Sequence, residues 1–355
     1  MTLSSNEIES EAVAWQPIDP EAVGAWMDAE GLPPGAVTDI QPIGGGTQNI
    51  MLRFRRGGRE YVLRRPPRHL RPVSNDVLRR EARLLRALRD TDVRAPRVIA
   101  VSDDGPALPG LVGYLMEPVD GFNPGTDLPD LHAGDAAVRH AMALSAVEGI
   151  ARLGALDHTA LGLADYGKPE GFLERQVPRW LRELDGYRSN PGYAGPEIPE
   201  LEQVSAWLKA HRPTRWQPGI MHGDCHLANM MFRHDGPELA AMVDWEMSTI
   251  GDPLLDLGWQ IATSPSGAAG AAVTPKLAAA GGLPTAAEMI EHYARFSDRD
   301  LSAITWYTVL AGFKLGIILE GTHARAVAGK APKAIGDHLH AITLQLFAEA
   351  AALID

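Results

Sequence analysis

The chain has 355 residues, 45% of them apolar, and a formal net charge of −12. This composition argues against disorder and predicts one large two-lobed domain or two ordinary domains. The single cysteine, Cys225, excludes an intramolecular disulfide and a thiolate metal site, and it fits a reducing compartment.

Charge is spread unevenly along the chain. Residues 53–94 hold 14 arginines against 5 Asp and Glu, so the remainder is strongly acidic. An acidic body argues against nucleic-acid partners, whereas the basic segment is a candidate for contacting phosphates. For most of these arginines, a solvated helix face is the simpler interpretation.

The sequence predicts neither export nor a membrane segment. The first residues, "MTLSSNEIESEAVAW", lack the basic start and apolar core of a signal peptide. The most apolar stretch, residues 303–319, is short for a span and contains Lys314. We therefore expect a buried helix there and a cytoplasmic protein.

Patterning in the first third predicts a small antiparallel sheet with one helix. Apolar and polar residues alternate from 36 to 65, interrupted by "GGGTQN" and by Gly57-Gly58, which predicts three strands. Leucines at helical spacing predict a helix over 74–89. Residues 97–104 and 111–119 predict two further strands.

The remainder reads as mainly helical, so the predicted fold class is α+β. Helices are expected near 134–158, 170–187, 198–211, 286–297, 300–323 and 335–352, with short strands within 218–244. Residues 264–284 are interpreted as a mobile or irregular connection. The predicted division is an N-terminal extension or helix (1–35), an N-lobe (36–118) and a C-lobe (119–355), with a hinge near 117–121.

One loop, "HGDCHLAN", carries the strongest chemical signal. It places His222, Asp224 and Asn229 in the order H-x-D-x-x-x-x-N, and Asp244 ends another apolar strand fifteen residues later. Phosphoryl transfer needs a carboxylate beside the attacking hydroxyl and metal ions that neutralise charge. We expect Asp224 to be the base or orienting carboxylate, Asn229 and Asp244 to be Mg²⁺ ligands, and His222 to orient the loop.

The chain resembles the aminoglycoside phosphotransferase and choline kinase family, which has a bilobal protein-kinase-like fold. "HGDCHLAN" is similar to the H-G-D-x-x-x-x-N signature of that family, and "DWE" stands where protein kinases have D-F-G. "GDPLLDLGW" and "LGLADYGKPEGFLERQVPRW" resemble the phosphotransferase domains fused to some acyl-CoA dehydrogenases. The resemblance extends from about Ile40 to at least Arg325. It implies transfer of the γ-phosphoryl group of ATP to a hydroxyl of a metabolite or aminoglycoside-like acceptor, with Mg²⁺.

The resemblance also implies a nucleotide site in the N-lobe. The loop over the phosphates would comprise Gly44, Gly45, Gly46, Thr47 and Asn49, and backbone near Glu117 and Val119 would meet the adenine. Arg64, paired with Glu81, stands where the family normally has a lysine. Arginine keeps the charge and can bind phosphate bidentately, although its geometry differs.

Further side chains around the loop receive subsidiary roles. Glu246 would bind a second Mg²⁺ or support the first, while Asp252 and Asp256 would cap a helix and brace the catalytic loop. Cys225 is expected to be a buried, inert thiol, and His226 a packing or hydrogen-bonding residue. The small-molecule acceptor is expected against the helical lobe, near Trp259, Tyr307, Glu320 and Arg325.

Two alternatives from other classes stay open on the sequence. A binuclear metal hydrolase would use His222, Asp224, His226 and Asp244 as ligands. A non-catalytic nucleotide-binding module would explain Arg64 as a sign of lost catalysis. The sequence does not choose between ATP and GTP, and it leaves a homodimer open.

Overall fold

The computed structural model describes residues 18–44, 49–67 and 72–354. Their contacts divide the chain into two compact units. The first unit comprises Met1–Thr91 and Ala95–Val119, and the second comprises Asp92–Arg94 and Asp120–Asp355. Among the described residues, no helix is both long and apolar enough to cross a membrane.

The first unit is built on a five-stranded antiparallel sheet in the order β1-β2-β3-β5-β4. Its strands are β1 (Thr38–Pro42), β2 (Ile50–Arg56), β3 (Arg59–Arg65), β4 (Val98–Asp103) and β5 (Val112–Met116), and its helices are α1 (Pro20–Ala29) and α2 (Ser74–Leu88). Gly57 and Gly58 both have positive φ, 56° and 75°, which is what a tight two-residue hairpin turn requires. The predicted strands, turn and helix are confirmed.

Two helices complete the first unit. The α2 helix is amphipathic, burying Leu78, Leu84, Leu85 and Leu88 while most of its arginines face outward. Asp19 caps α1 by accepting hydrogen bonds from the backbone N–H groups of the first turn.

A buried arginine connects α1 to the sheet. Arg56, at the end of β2, donates from Nη2 to Asp28 of α1 at 2.5 Å and from Nε to the Gly35 carbonyl at 2.8 Å. The Arg56 side chain is 2% exposed, whereas that of Asp28 is 60% exposed. The charge of Arg56 is therefore buried, and its partner lies at the surface.

The second unit is mainly helical. Its helices are α3 (Asp130–Gly134), α4 (Ala136–Ala155), α5 (Phe172–Gly186), α6 (Leu201–Ala210), α7 (Leu254–Ala262), α8 (Ala268–Val273), α9 (Pro275–Ala280), α10 (Ala286–Tyr293), α11 (Ile304–Val327) and α12 (Lys333–Ala352). Two short antiparallel pairs join β6 (Gly219–Met221) to β9 (Thr249–Gly251) and β7 (Met230–Phe232) to β8 (Leu239–Met242). The six predicted helices are present.

One prediction for this unit is wrong. Residues 264–284 contain the two short helices α8 and α9 rather than an irregular connection. The stretch is mostly Ala and Gly, so it shows no apolar periodicity, yet Ala269 and Leu277 are buried. Tertiary packing therefore supplies what the sequence pattern does not show.

Candidate active site

The loop that contains "HGDCHLAN" follows β6 and requires glycine at position 223. Gly223 has φ +86°, and a Cβ there would lie 2.4 Å from the Met247 carbonyl oxygen. Both the backbone conformation and the contact therefore require glycine. After the loop, a single 3₁₀ turn, Leu227–Asn229, leads into β7.

Asp256 of α7 holds the start of the loop. Its carboxylate accepts hydrogen bonds from the backbone N–H of His222 at 2.6 Å and of Gly223 at 2.9 Å. Burial raises the pKa of Asp256 to about 6, although these hydrogen bonds and the charge of Lys314 act in the opposite direction. The expected bracing role of Asp256 is confirmed.

Asp252 lies two residues before α7 and is also buried. Its Oδ1 accepts a hydrogen bond from the Leu254 N–H at 3.1 Å, and its Oδ2 accepts one from the Tyr307 hydroxyl. Burial raises the pKa of Asp252, and these hydrogen bonds counteract the rise. Asp252 therefore binds the first residue of α7, but the expected capping role is wrong, because Pro253 is the N-cap residue and α7 has no side-chain cap hydrogen bond.

Lys314 is a component of the site that the sequence reading missed. This buried residue of α11 donates from Nζ to the Gly223 carbonyl at 3.0 Å. Its ammonium group lies 4.2 Å from the ring centroid of Trp259 and 5.7 Å from that of Trp180. Burial lowers its pKa, while Asp224 and Asp256 counteract that effect. The sequence did offer a signal for Lys314, because a single lysine within a long apolar helix is rarely buried unless it has a partner.

His222 is buried beneath the loop. Its Nε2 contacts the Val243 carbonyl oxygen at 2.9 Å, which makes Nε2 the donor, and its ring packs 4.6 Å from that of Trp245. Burial lowers the pKa of His222. The imidazole thus connects the loop to the segment that precedes Asp244.

Asp224 is the partly exposed carboxylate of the loop, with 30% of its side chain accessible. Asn229 Nδ2 donates to Asp224 Oδ2 at 2.9 Å and to the Asp224 carbonyl at 3.1 Å. His226 Nε2 lies 3.5 Å from Oδ2. Burial raises the pKa of Asp224, but the hydrogen bond from His226 and the nearby positive charges outweigh it and lower the pKa to about 2.

Asn229 directly precedes β7, and Asp244 lies two residues after the end of the neighbouring strand β8. Met230 of β7 pairs with Met242 of β8, and the Val243 N–H donates to the Asn229 carbonyl at 2.8 Å. Asp244 has φ 65° and ψ 63°, a left-handed conformation that is uncommon outside glycine and that Asp tolerates better than most residues. Glu246, which is half-buried, follows in the 3₁₀ turn Trp245–Met247.

In the first unit, the predicted cation is buried with its predicted partner. Arg64 Nε of β3 lies 3.0 Å from Glu81 Oε2 of α2, and both side chains are less than 10% exposed. Gly44 is exposed and Asn49 is half-buried, whereas Gly45, Gly46 and Thr47 lie outside the described residues.

The segment predicted to meet the adenine begins directly after β5. Glu117 is exposed, Val119 is half-buried, and the Glu117 N–H donates to the Arg97 carbonyl at 3.0 Å.

The four residues suggested for the acceptor are held by different partners. Trp259 lies under Lys314, and Tyr307 binds Asp252. Glu320 is buried against Tyr193 and His340, and the exposed Arg325 binds Thr322. The contacts of the described residues therefore do not group these four into one pocket.

Cys225 is fully buried, and burial raises the pKa of its thiol well above the usual value. The expected burial of this thiol is confirmed, and its inertness stays a prediction. His226 is half-buried and lies beside the carboxylate of Asp224, as expected of a hydrogen-bonding residue.

Comparison with known proteins decides the family. The model of the phosphotransferase enzyme family matches residues 39–294. The chain belongs to this family. Among solved structures, a Ralstonia eutropha JMP134 protein provisionally named an aminoglycoside phosphotransferase is 28% identical, with a TM-score of 0.75 over 95% of this chain and 99% of that one. The predictions of the phosphotransferase family and of an α+β kinase-like fold are confirmed.

A more distant structure shares the fold. It is a thermostable mutant of aminoglycoside phosphotransferase APH(4)-Ia in a ternary complex with ADP and hygromycin B. It is 14% identical, with a TM-score of 0.54, and the match covers 91% of this phosphotransferase and 98% of that chain.

Curated relatives are longer proteins. Acyl-CoA dehydrogenase family member 10 of Mus musculus is 28% identical over 81% of this phosphotransferase, and family member 11 of Rattus norvegicus is 30% identical over 83%. This phosphotransferase spans only 27% and 37% of their respective lengths. The similarity to fused domains predicted from the sequence is therefore confirmed.

The geometry of the described residues does not support the binuclear hydrolase alternative. Across the described residues, the His, Cys, Asp and Glu side chains whose ligand atoms converge are Glu320, His323 and His340, and not the four residues that this alternative needs. His222 Nε2 is instead engaged by a backbone carbonyl. Family membership likewise favours catalysis over a non-catalytic module.

Proposed function

We propose that this phosphotransferase transfers the γ-phosphoryl group of ATP to a hydroxyl of a small molecule, with Mg²⁺. The observation that carries the proposal is Asp224, a partly exposed carboxylate fixed by Asn229 within a loop that is braced from below. A hydroxyl that hydrogen-bonds to Asp224 would be oriented for attack, and orientation is the main contribution that a protein makes to phosphoryl transfer.

The proposed reaction balances without a redox partner. The acceptor oxygen forms a bond to the γ-phosphorus, the bond from that phosphorus to the β–γ bridging oxygen breaks, and ADP leaves. The hydroxyl proton passes to a carboxylate oxygen of Asp224. Because the pKa of Asp224 is about 2, this carboxylate is a weak base. We therefore infer that Asp224 first orients the hydroxyl and receives the proton late, once the phosphorus–oxygen bond is forming.

Asn229 and Asp244 fit a Mg²⁺ site. Asn229 uses its amide nitrogen to bind Asp224, which leaves its Oδ1 as the ligand atom, and Asp244 supplies a carboxylate from the neighbouring strand. Amide and carboxylate oxygens are the ligands that Mg²⁺ prefers. When bound, the ion would neutralise charge on the nucleotide phosphates. Glu246, two residues after Asp244, would bind a second ion or support the first.

Arg64 and Glu81 support the nucleotide part of the proposal. A buried arginine fixed by a carboxylate at 3.0 Å keeps donors for phosphate in a defined place. A protein that shares the fold was solved in a ternary complex with ADP and hygromycin B, which supports a nucleotide donor and a small-molecule acceptor for this chain. We propose ATP as donor and a hydroxylated metabolite or aminoglycoside-like compound as acceptor.

The test combines a substrate screen with two isosteric variants. Wild type is incubated with Mg²⁺ and ATP, or GTP, and with sugars, aminoglycosides, amino alcohols and hydroxy acids, and phosphorylated products are detected by mass spectrometry. Asp224→Asn should retain Mg²⁺–ATP binding while kcat falls about a hundredfold or more. Asp244→Asn should weaken Mg²⁺–ATP binding as well, because a formal charge leaves the metal site.

The control is Asp235→Asn, an exposed aspartate paired with Arg233 in the same unit. It should leave binding and turnover unchanged. Nucleotide binding absent from wild type, or full turnover in Asp224→Asn, would contradict the proposal.

A further inference from the structure

A second cluster of polar side chains lies in the hairpin formed by the last two helices. Glu320 and His323 are three residues apart on α11, and Asp337 and His340 are three residues apart on α12, so each pair shares a helix face. Five residues connect the two helices. The ligand atoms of Glu320, His323 and His340 all lie within 4.8 Å of one another.

Glu320 is fully buried and accepts two hydrogen bonds. Tyr193 donates to its Oε1 at 2.7 Å, and His340 Nδ1 lies 2.7 Å from its Oε2. Burying an ionised carboxylate is costly unless an opposite charge compensates it. Burial raises the pKa of Tyr193, and the bond to Glu320 raises it further, so this phenol is a neutral donor. A cation bound between Glu320 and the two imidazoles would supply that compensation.

The two histidines lie side by side. Their rings stack with centroids 4.4 Å apart and an interplanar angle of 23°, and one nitrogen of each ring lies within 4.8 Å of the other and of a Glu320 carboxylate oxygen. His323 Nδ1 is buried and makes no hydrogen bond among the described residues; the Asp337 carboxylate is 3.9 Å away. A buried nitrogen without a hydrogen bond, beside a buried carboxylate, is a feature that an ion would explain.

We propose that Glu320, His323 and His340 bind a divalent transition metal ion, Zn²⁺ being the natural occupant. Two imidazole nitrogens and one carboxylate oxygen form a ligand set that suits Zn²⁺ and that Mg²⁺ does not favour. A Glu-x-x-His pair facing a second helix is also a spacing that helical bundles use for metal ligands.

Small side-chain rotations suffice to form the site. Tetrahedral ligands about 2.0–2.2 Å from Zn²⁺ lie roughly 3.4 Å from one another, which falls between the 2.7 Å hydrogen bond and the 4.8 Å limit of this cluster. Tyr193 would orient the bound carboxylate. Both histidines are about one-fifth exposed, so water has access to a fourth position.

The site is separate from the proposed Mg²⁺ ligands and does not depend on the proposed reaction. Glu320 follows Lys314 by six residues on α11, about 9 Å along the helix axis. A metal here would fasten α12 to the helix that carries Lys314.

The experiment uses the whole chain, from which bound metal is first removed with a chelator. The chain is then titrated with Zn²⁺ in the presence of excess Mg²⁺, because Mg²⁺ occupies sites made of hard oxygen ligands. Bound zinc is measured by elemental analysis, and Co²⁺ is used in parallel because its visible absorption reports nitrogen and oxygen ligands. Wild type should bind one Zn²⁺ and melt at a higher temperature with it. His340→Gln and His323→Asn should each weaken binding about a hundredfold or more, and Tyr193→Phe about tenfold.

The matched control is His338→Gln, which removes an exposed histidine from the same helix. It should bind Zn²⁺ as wild type does. Circular dichroism of each metal-free variant separates loss of the site from loss of the fold, and His323→Asn serves if His340→Gln does not fold. Wild type that binds no stoichiometric Zn²⁺, or variants that bind it as tightly as wild type, would overturn the proposal and leave a hydrogen-bonded helix contact.

Discussion

At the scale of single residues, the catalytic loop depends on contacts with later helices as well as on its own Gly223 and Asn229. The carboxylate of Asp256 accepts hydrogen bonds from the backbone N–H groups of His222 and Gly223, and Lys314 donates to the Gly223 carbonyl directly before Asp224. Both contacts come from helices that follow the loop in the chain. Residues outside the loop motif therefore help to set the position of Asp224.

Replacing Lys314 by methionine should impair catalysis more than binding. The apolar chain of methionine can still pack against Trp180 and Trp259, but the hydrogen bond to Gly223 is lost. Because a small misplacement of a reacting group can cost about a hundredfold in rate, we expect kcat to fall by about ten- to a hundredfold. Nucleotide affinity, measured by calorimetry, should change little. Lys276→Met, at an exposed lysine of the same unit, is the control; equal losses in both variants would contradict a positioning role for Lys314.

Asp256 should give stability a characteristic pH dependence. Its pKa is about 6 in the folded chain and near 3.8 when unfolded, so between these values the folded state binds more protons. The contribution of Asp256 to the free energy of unfolding should thus fall as pH rises from about 4 to 6, by about 1.4 kcal/mol for each pKa unit. The measurement is the unfolding free energy of wild type minus that of Asp256→Asn across this window. A difference that rises with pH would show that Asp256 is stabilised as a carboxylate instead.

At the scale of elements, the ends of strands and helices carry more of the site than their interiors. The pairing of β7 with β8 sets Asn229 beside the segment leading to Asp244, whose left-handed backbone turns the chain into a 3₁₀ turn. In the first unit, α1 is fastened to the sheet through Arg56 and Asp28. The first contact depends on strand register and the second on an ion pair, so neither depends on bulk hydrophobicity.

The contact between α1 and the sheet should contribute measurably to stability. Asp28→Ala leaves the buried guanidinium of Arg56 with the Gly35 carbonyl but without a carboxylate, so we expect a loss of about 1–3 kcal/mol. The matched control is Glu60→Ala, since Glu60 pairs with Arg53 on the surface of the same sheet. An exposed pair contributes about 0–1 kcal/mol. Chemical denaturation of both variants provides the comparison, and equal losses would show that the burial of Arg56 has no special effect.

The sequence could predict the elements whose signal is local. The Gly57-Gly58 turn, the amphipathic α2 helix and the spacing of Asp224 and Asn229 each lie within a short window. By contrast, the contact of Lys314 with Gly223 joins residues 91 positions apart. Periodicity cannot report a contact of that range, nor can it reveal a helix such as α8, in which all residues but one are Ala or Gly.

At the scale of the whole molecule, ligand binding should be visible as stabilisation of the folded chain. A ligand that binds only the folded state raises the free energy of unfolding by mass action. Mg²⁺ with ATP should therefore raise the melting temperature of wild type. Arg64→Ala should reduce this shift, because a phosphate donor is lost and Glu81 loses its cation, and Arg64→Lys should be intermediate. An unchanged shift in Arg64→Ala would assign phosphate binding to another cation.

The buried thiol of Cys225 can be used to measure how often the catalytic loop opens. It is the sole cysteine, it follows Asp224 directly in the sequence, and it is completely buried in the structure. A thiol reagent can reach it only while the loop or the surrounding fold is open, so the rate of labelling reports how often opening occurs. Any compound that tightens the loop will lengthen the labelling time, whether or not that compound is ever phosphorylated. Unidentified acceptors can thus be recognised because they slow the labelling of Cys225.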